Sequence, residues 1–185
     1  KLAYEIANLA LTNKPADADA LKALSIGSLT FEQRLMDEMG KTGEKMDVSK
    51  YAIINGENVI AYIHAGNKMG VLVEMNNAPS EANTNAGKDT AMQIAAMNPL
   101  ALNEAQVPAE TIAREIEVGK EQAIAEGKPA EMAEKIAMGR LNKFFKESTL
   151  LNQEFIKDSK MNVAQYLKTA DKDLTVTSFV RHSIG

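Results

Sequence analysis

The spacing of apolar residues alternates between a helical and a strand-like period along this chain of 185 residues, and this alternation restricts the fold more than any other feature of the sequence. In the first third, and again after residue 107, apolar residues recur every three or four positions, as on one face of a helix. The segments between are short, rich in β-branched residues and bounded by turn-forming residues. Together the two periods predict an α+β fold, in which a small antiparallel sheet packs with helices.

The first 48 residues predict a small helical unit. Helical spacing of apolar residues predicts helices over residues 1–13 and 17–24. The first of these is expected to end before Pro15, because a proline disfavours helix in the residue that precedes it. The sequence Ser28-Leu29-Thr30 predicts the start of a third helix, which ends near Gly40.

The central and final parts of the protein predict the sheet. The predicted elements are three strands at 51–54, 59–64 and 69–75, a loop at 76–87, a helix from Asp89 or Thr90 to Met97, a short helix at 161–169, and a strand at 174–184. Asn55-Gly56 is typical of a turn, and so is the sequence of residues 65–68, which predicts a hairpin between the second and third strands. The last strand is expected to join this hairpin.

Residues 108–160 predict an arm of two helices. The helices, of roughly 18 residues each, are separated by a break at 127–129, and the first begins at Pro108. Seam residues recur at spacings of three and four, as in a coiled coil: Ile112, Ile116, Gly119, Ala123, then Ala133, Ala137, Leu141 and Phe144. Because the seam is thin and its residues are small, we predict a protruding antiparallel coiled-coil hairpin, inserted between the sheet and its last strand.

Composition excludes several classes of function. The sequence has no Cys, which excludes disulfides, thiolate metal sites and a Cys nucleophile. It has only two His and a formal net charge of −4, so neither a multi-histidine metal site nor general nucleic-acid binding is expected. No apolar run approaches the roughly 20 residues of a membrane helix, and no signal peptide is visible. We expect a cytoplasmic protein that needs no metal or cofactor.

The motifs that support chemistry are also missing from the sequence. It contains no P-loop, dinucleotide-binding fingerprint, nucleophile elbow or His-Glu-x-x-His motif. His64, at the end of a predicted strand, is interpreted as a surface or half-buried structural residue rather than a ligand or base. Basic and aromatic residues alternate over residues 140–146, as in some nucleic-acid binders, although Phe144 and Phe145 are expected to pack the base of the arm. A non-enzymatic protein that contacts another macromolecule is predicted.

Several collinear motifs resemble the translation elongation factor Ts family. They are residues 62–74 for the central hairpin, 91–99 for the following helix, 107–110, 126–129, 133–136 and 139–144 for the arm, 150–155 after it, and Phe179-Val180-Arg181 for the closing strand. The resemblance covers most of residues 50–185, whereas residues 1–48 match mainly as a helical pattern.

This resemblance implies a guanine-nucleotide exchange factor that promotes GDP release from elongation factor Tu by protein–protein contact. It implies that residues 1–48 are a helical remnant of the N-terminal core subdomain. Residues 49–107 and 161–185 would form the C-terminal core subdomain, and residues 108–160 the arm. The partner-binding residues that we predict are Met69, Gly70, Met92, Gln93, Arg140 and Lys143. Elongation factor Tu is the expected partner, with neither membrane nor direct nucleic-acid binding expected, and a homodimer is a further expectation.

Two departures from the family pattern stand out. The family carries an N-terminal ubiquitin-associated-like module and a Thr-Asp-Phe-Val wedge, and neither occurs here, so we expect the sequence to begin just after the wedge. The family often has His in the Ala-Met-His position of the core helix, where this sequence has Gln93. A Gln amide donates and accepts hydrogen bonds but cannot become cationic.

Two other functions compete with nucleotide exchange. A structural or RNA-associated adaptor would use the basic face of the arm near Arg140, Lys143 and Lys146. An enzyme with a dispersed carboxylate site is a third hypothesis, which has the least support because the sequence offers no convergent titratable cluster.

Overall fold

The computed structural model describes residues 1–184 of the protein. It divides into two compact units, Lys1–Asn55 and Gly56–Gly185, which are described separately. Together they contain helices and small antiparallel sheets, which confirms the predicted α+β class.

The first unit is mainly helical. Its elements are α1 (Leu2–Asn13), α2 (Ala18–Lys22), the two-residue strands β1 (Ser25–Ile26) and β2 (Leu29–Thr30), and α3 (Phe31–Thr42). The core is formed by Leu2, Ile6, Ala10, Leu21, Phe31 and Leu35. A capping box starts α3: the Thr30 hydroxyl accepts from the Gln33 N–H, and the Gln33 side chain accepts from the Thr30 N–H. The three predicted helices are confirmed.

No helix or strand forms between residues 43 and 57, where a strand at 51–54 was predicted. Met46, Val48 and Tyr51 instead pack against the helical core of the first unit. The strand prediction was wrong because this segment has no strand beside it to share hydrogen bonds, and Tyr51 packs against helices instead.

The second unit is built on a three-stranded antiparallel sheet. The strands are β3 (Asn58–Ile63), β4 (Met69–Met75) and β7 (Val176–Ser183), in the order β3-β4-β7. The hairpin of β3 and β4 and the addition of the last strand are both as predicted. One face of the sheet carries the core, which includes Ile60, Val71, Val73, Met75 and Val176.

Helix α4 (Glu81–Met97) covers this face and begins earlier than predicted. Ser80 caps it by accepting from the Asn83 N–H, so the predicted loop at 76–87 is confirmed only for residues 76–80, and the predicted cap at Asp89 or Thr90 was wrong. The first half of α4 lacks an apolar stripe because it buries small residues. Gly87 lies so close to Ile60 that a Cβ there would be 2.5 Å from the Ile60 Cδ1.

The predicted pair of long helices is α5 (Ala109–Ala125) and α6 (Ala130–Ser148). Gly127, with φ of 76°, turns the backbone between them. The helices run antiparallel, because Gly119 of α5 faces Ala137 of α6 while Lys120 pairs with Glu134. At the base of the pair, Leu141 and Phe145 pack with Ala101 and Val107, and with the partly buried Ile112, Ile116 and Phe144.

After the helical pair the backbone returns to the sheet. It forms a short hairpin of β5 (Glu154–Phe155) and β6 (Asp158–Asn162), then α7 (Val163–Ala170), and then β7. The helix predicted at 161–169 is confirmed with a start two residues later. Within residues 1–184, none of the helices is long and apolar enough to cross a membrane.

Candidate partner-binding surface

Met69 and Gly70 lie at the start of β4, next to the hairpin turn. Both are half-buried. Gly70 pairs with Ile63 of β3 on one side and with His182 of β7 on the other, and Met69 pairs with Ser183. A Cβ at Gly70 would stand 3.3 Å from the Ile63 Cδ1, so a larger residue would displace that side chain. These pairings fix Met69 and Gly70 in a rigid three-stranded frame.

The turn before Met69 exposes a polar tip. Gly66 and Asn67 both have positive φ, of 85° and 56°, and the Asn67 N–H donates to the His64 carbonyl oxygen. The exposed His64 ring is paired with the Tyr62 hydroxyl, at 3.0 Å from its Nδ1. This placement agrees with the prediction of a surface histidine.

Met92 and Gln93 are neighbours on α4 but have opposite environments. Met92 is half-buried, whereas Gln93 has no exposed surface. The Gln93 Nε2 donates to the Gln153 Oε1 at 3.1 Å and to the Glu154 carbonyl oxygen at 3.1 Å, and the Ile156 N–H donates to the Gln93 Oε1 at 2.9 Å. A side chain buried in this way cannot be touched by a partner, so the expected direct contact at Gln93 does not fit the geometry.

The buried amides continue from Gln93 to the helical pair. The Gln153 Nε2 donates to the Glu147 carbonyl oxygen, in the last turn of α6, at 2.8 Å. Gln93, Gln153 and Glu147 therefore form a series of hydrogen bonds, called the amide relay below, from α4 to the base of the pair. Because both amides are almost fully buried, losing one partner would leave a polar group without a hydrogen bond.

A second polar group holds the same face of α4, one turn earlier. Asp89 accepts from the Lys157 Nζ at 2.6 Å and from the Tyr166 hydroxyl at 2.7 Å. The Tyr166 ring stacks on Phe155 with centroids 3.9 Å apart. Burial, and then the Asp89 carboxylate that accepts its hydrogen bond, raise the pKa of the Tyr166 hydroxyl well above its ordinary value. Sequence reasoning found neither this group nor the amide relay, since each joins α4 to residues 60 or more positions further along the sequence.

Arg140 and Lys143 lie on α6, separate from the other predicted residues. Arg140 donates to the Gln122 side chain and to the Glu126 carboxylate, the latter at 2.6 Å. Lys143 is exposed, with Glu147 3.7 Å away. They line an open cleft of about 510 Å³ together with Glu115, Gln122, Glu126, Phe144 and Glu147. The positive charges on this face are thus largely balanced by nearby carboxylates.

In the described part of the protein, His, Asp and Glu side chains do not gather in any group that could hold a metal ion. Another cleft, of about 300 Å³, lies between the segment after α4 and β7. Its lining carries no ionisable side chain: Leu100, Ala101, Leu102, Gln106, Thr177, Ser178 and Phe179. The predicted residues thus lie on three separate elements, each held by its own contacts: the hairpin end of β4, α4 and the helical pair.

A family model described as elongation factor TS matches residues 1–185. The chain therefore belongs to the elongation factor Ts family.

Similar proteins carry the same name. The chain is 47% identical over 185 residues to elongation factor Ts of Cytophaga hutchinsonii and to that of Amoebophilus asiaticus, and 44% identical to that of Flavobacterium psychrophilum. In each case the whole of this chain is matched, and it covers 66%, 67% and 66% of the relative, respectively. The chain thus spans about two thirds of the length of these relatives.

Proposed function

We propose that this protein acts in translation elongation by binding elongation factor Tu and promoting the release of its GDP. The observation that supports this proposal is the match to the elongation factor Ts family along all 185 residues. The resemblance stated above from the residue motifs points to the same activity. The protein works by contact and forms or breaks no covalent bond.

Exchange of this kind is a reciprocal coupling of two binding equilibria. A protein that binds the nucleotide-free GTPase more tightly than the GDP-bound GTPase must weaken GDP binding by the same factor. A tenfold effect needs about 1.4 kcal/mol of differential contact energy. Such contacts must be made by a rigid body, because a deformable surface would adapt to both states of the GTPase.

We propose Met69, Gly70 and Met92 as contact residues in the second unit. The sheet holds Met69 and Gly70. The amide relay, together with the hydrogen bond between Tyr166 and Asp89, holds the helix that carries Met92. On this rigid frame, methionine side chains offer apolar, polarizable contact points to a partner. We assign Gln93 a positioning role, since it is buried, and we keep Arg140 and Lys143 as proposed contacts on the helical pair.

The direct test measures release of a fluorescent GDP from elongation factor Tu in the presence of an excess of unlabelled nucleotide. We expect this protein to accelerate release in a concentration-dependent way. A protein of the full length of the relatives is tested in parallel, because this sequence matches only about two thirds of them. The proposal fails if neither protein accelerates release at micromolar concentration.

A matched pair of methionine variants tests the contact surface. Met92→Ala is expected to weaken binding to elongation factor Tu about fivefold, as for an interface side chain that contributes about 1 kcal/mol. Met36→Ala, which removes an exposed methionine of the first unit, is the control and should leave binding unchanged. Equal effects of the two variants would argue against the assigned surface.

The adaptor hypothesis is tested with RNA. Salt-sensitive RNA binding that Lys143→Glu weakens would favour it. We favour exchange, because Arg140 is already engaged by Gln122 and Glu126 and Lys143 has Glu147 nearby, which leaves little net positive charge on this face. Absence of RNA binding at low salt would remove the adaptor hypothesis.

A further inference from the structure

Asn55 is the only asparagine of the sequence that is followed by glycine. The pair was predicted to form a turn between two strands, but the structure places it in the irregular stretch before β3. Gly56 does not adopt the positive φ that a type I′ turn requires at both central residues. Asn55 and Gly56 are therefore free of the hairpin geometry that normally explains this dipeptide.

Both residues are exposed and lie outside any helix or strand. Among the described residues, neither the Asn55 side-chain amide nor the Gly56 backbone nitrogen forms a hydrogen bond with another protein group. A backbone nitrogen that is not held in a hydrogen-bond ladder can rotate toward the preceding side chain. Because glycine has no Cβ, that rotation meets little steric resistance.

The Glu74 side chain packs against the backbone of Gly56. A Cβ at this position would overlap the Glu74 Oε1, so the Glu74 carboxylate occupies the space of a side chain. The Ser178 hydroxyl donates to the other oxygen of this carboxylate, at 2.8 Å, and holds it in place. The contact with Glu74 therefore favours a small residue directly after Asn55, independently of how that residue affects the chemistry of Asn55.

We propose that Asn55 is a site of spontaneous deamidation and isoaspartate formation. The Gly56 backbone nitrogen loses its proton and attacks the Asn55 side-chain carbonyl carbon, forming a new C–N bond. The original C–N bond of the Asn55 amide group then breaks, and the amide nitrogen leaves with a proton as ammonia, which gives a five-membered succinimide. Water opens the succinimide at one of its two carbonyl carbons and yields aspartate or isoaspartate.

The products differ from asparagine in charge and in main-chain length. Each adds one negative charge directly before Gly56, the residue against which the Glu74 carboxylate packs, and isoaspartate also inserts one more carbon into the backbone ahead of β3. The reaction therefore marks aged molecules at one defined position.

The test is incubation of the folded protein at pH 8 and 37 °C, with peptide mass spectrometry at intervals. Asn67 is the internal control, because it is also exposed and in a turn but is followed by Lys68. We expect Asn55 to gain the mass of deamidation about tenfold faster than Asn67, since only Asn55 precedes a residue without a Cβ. An isoaspartyl-specific methyltransferase with labelled methyl donor should label the incubated protein.

Two variants define the outcome. Asn55→Gln should abolish most of the methyl labelling, because glutamine would have to close a larger ring. Gly56→Ala should slow the reaction at Asn55, with far-ultraviolet circular dichroism as the check that the variant keeps its secondary structure. Deamidation of Asn55 no faster than that of Asn67, or methyl labelling that persists in Asn55→Gln, would overturn the proposal.

Discussion

Gln93 shows how one buried residue can act on a surface that it does not itself form. Its amide makes three hydrogen bonds with residues 153–156, and its neighbour Met92 faces outward on the same turn of α4. The family resemblance places histidine at this position, and both side chains are polar and planar. The amide has the advantage here that it donates and accepts without a change of charge.

Replacing Gln93 with alanine should destabilise the second unit. The Ile156 N–H and the Gln153 Oε1 would each lose a buried partner, for an expected loss of about 2–4 kcal/mol in the free energy of unfolding, measured by urea denaturation. Gln122→Ala is the control, because it removes an exposed amide, and should change stability by no more than about 0.5 kcal/mol. Equal losses in the two variants would contradict the assigned role of Gln93.

Tyr166 should make the stability of the second unit sensitive to alkaline pH. Its pKa is raised in the folded state, so the folded protein keeps the phenolic proton at a pH where the unfolded protein, with a pKa of about 10, releases it. The stabilising contribution is therefore complete below pH 10 and declines as the pH rises above that value. Urea denaturation between pH 9 and 11.5 should show a steeper decline for the unaltered protein than for Tyr166→Phe. Parallel profiles would show that Tyr166 does not contribute.

At the level of elements, the helical pair depends on small residues at its contact. A Cβ at Gly119 would lie 3.1 Å from the Cα of Ala137, whereas a Cβ at Gly139 would meet nothing within 4 Å. The two glycines are both in helix interiors, where glycine costs conformational entropy, but only Gly119 is required by packing. They therefore provide a matched pair of positions at which substitutions test the close packing of α5 on α6.

Gly139→Ala should stabilise the protein by about 0.5–1 kcal/mol, because it gains helix propensity without a clash. Gly119→Leu should destabilise it by about 1–3 kcal/mol, because the larger side chain forces the two helices apart. Thermal unfolding followed by circular dichroism measures both. If Gly119→Leu were as stable as Gly139→Ala, close packing of α5 on α6 could not explain the glycine.

The elements that the sequence predicted well are those with a strong local pattern. The long helices, the β3–β4 hairpin and the last strand all show periodic apolar residues, and all are present. Helix α4 was only half predicted, because its first ten residues bury small or polar residues such as Asn83 and Gly87. Their burial depends on the sheet, which is a tertiary effect that no local pattern contains.

The candidate surface shows the same difference between what a local pattern predicts and what depends on distant contacts. The motif resemblance brought Met92 and Gln93 to attention as one contact site, but helical spacing alone did not indicate which of the two side chains faces inward. Their roles separate only when the partners of Gln93, some 60 residues further along the sequence, are known. The contacts that hold α4 could not be predicted from the sequence, since each joins distant segments through single polar side chains.

At the scale of the whole molecule, each unit has a hydrophobic core of its own. The core of the first unit contains Phe31, which is 1% exposed, and the core of the second unit contains Val73 at the centre of the sheet. No residue is shared between these two cores. A mutation in one core should therefore have a mainly local effect.

Phe31→Ala should lower the stability of the first unit by about 3–5 kcal/mol, as for a fully buried aromatic side chain. Native-state amide hydrogen exchange should show faster exchange in α1 and α3, with the amides of β4 unchanged. Loss of protection in both units to the same degree would mean that they unfold as one cooperative body.

The order of strands along the sequence has a consequence for synthesis. β4 is the central strand, but its second neighbour, β7, lies about a hundred residues further on; Ser178 and Glu74, which are bonded across this ladder, are 104 residues apart. On the ribosome, β3, β4, α4 and the helical pair all emerge before β7 does. During that interval the nascent protein displays an unpaired edge of β4, to which a neighbouring polypeptide could attach. The contacts between α5 and α6 are local and form quickly. Once formed, they shorten the effective loop between β4 and β7, so β7 docks sooner and the edge of β4 stays unpaired for less time.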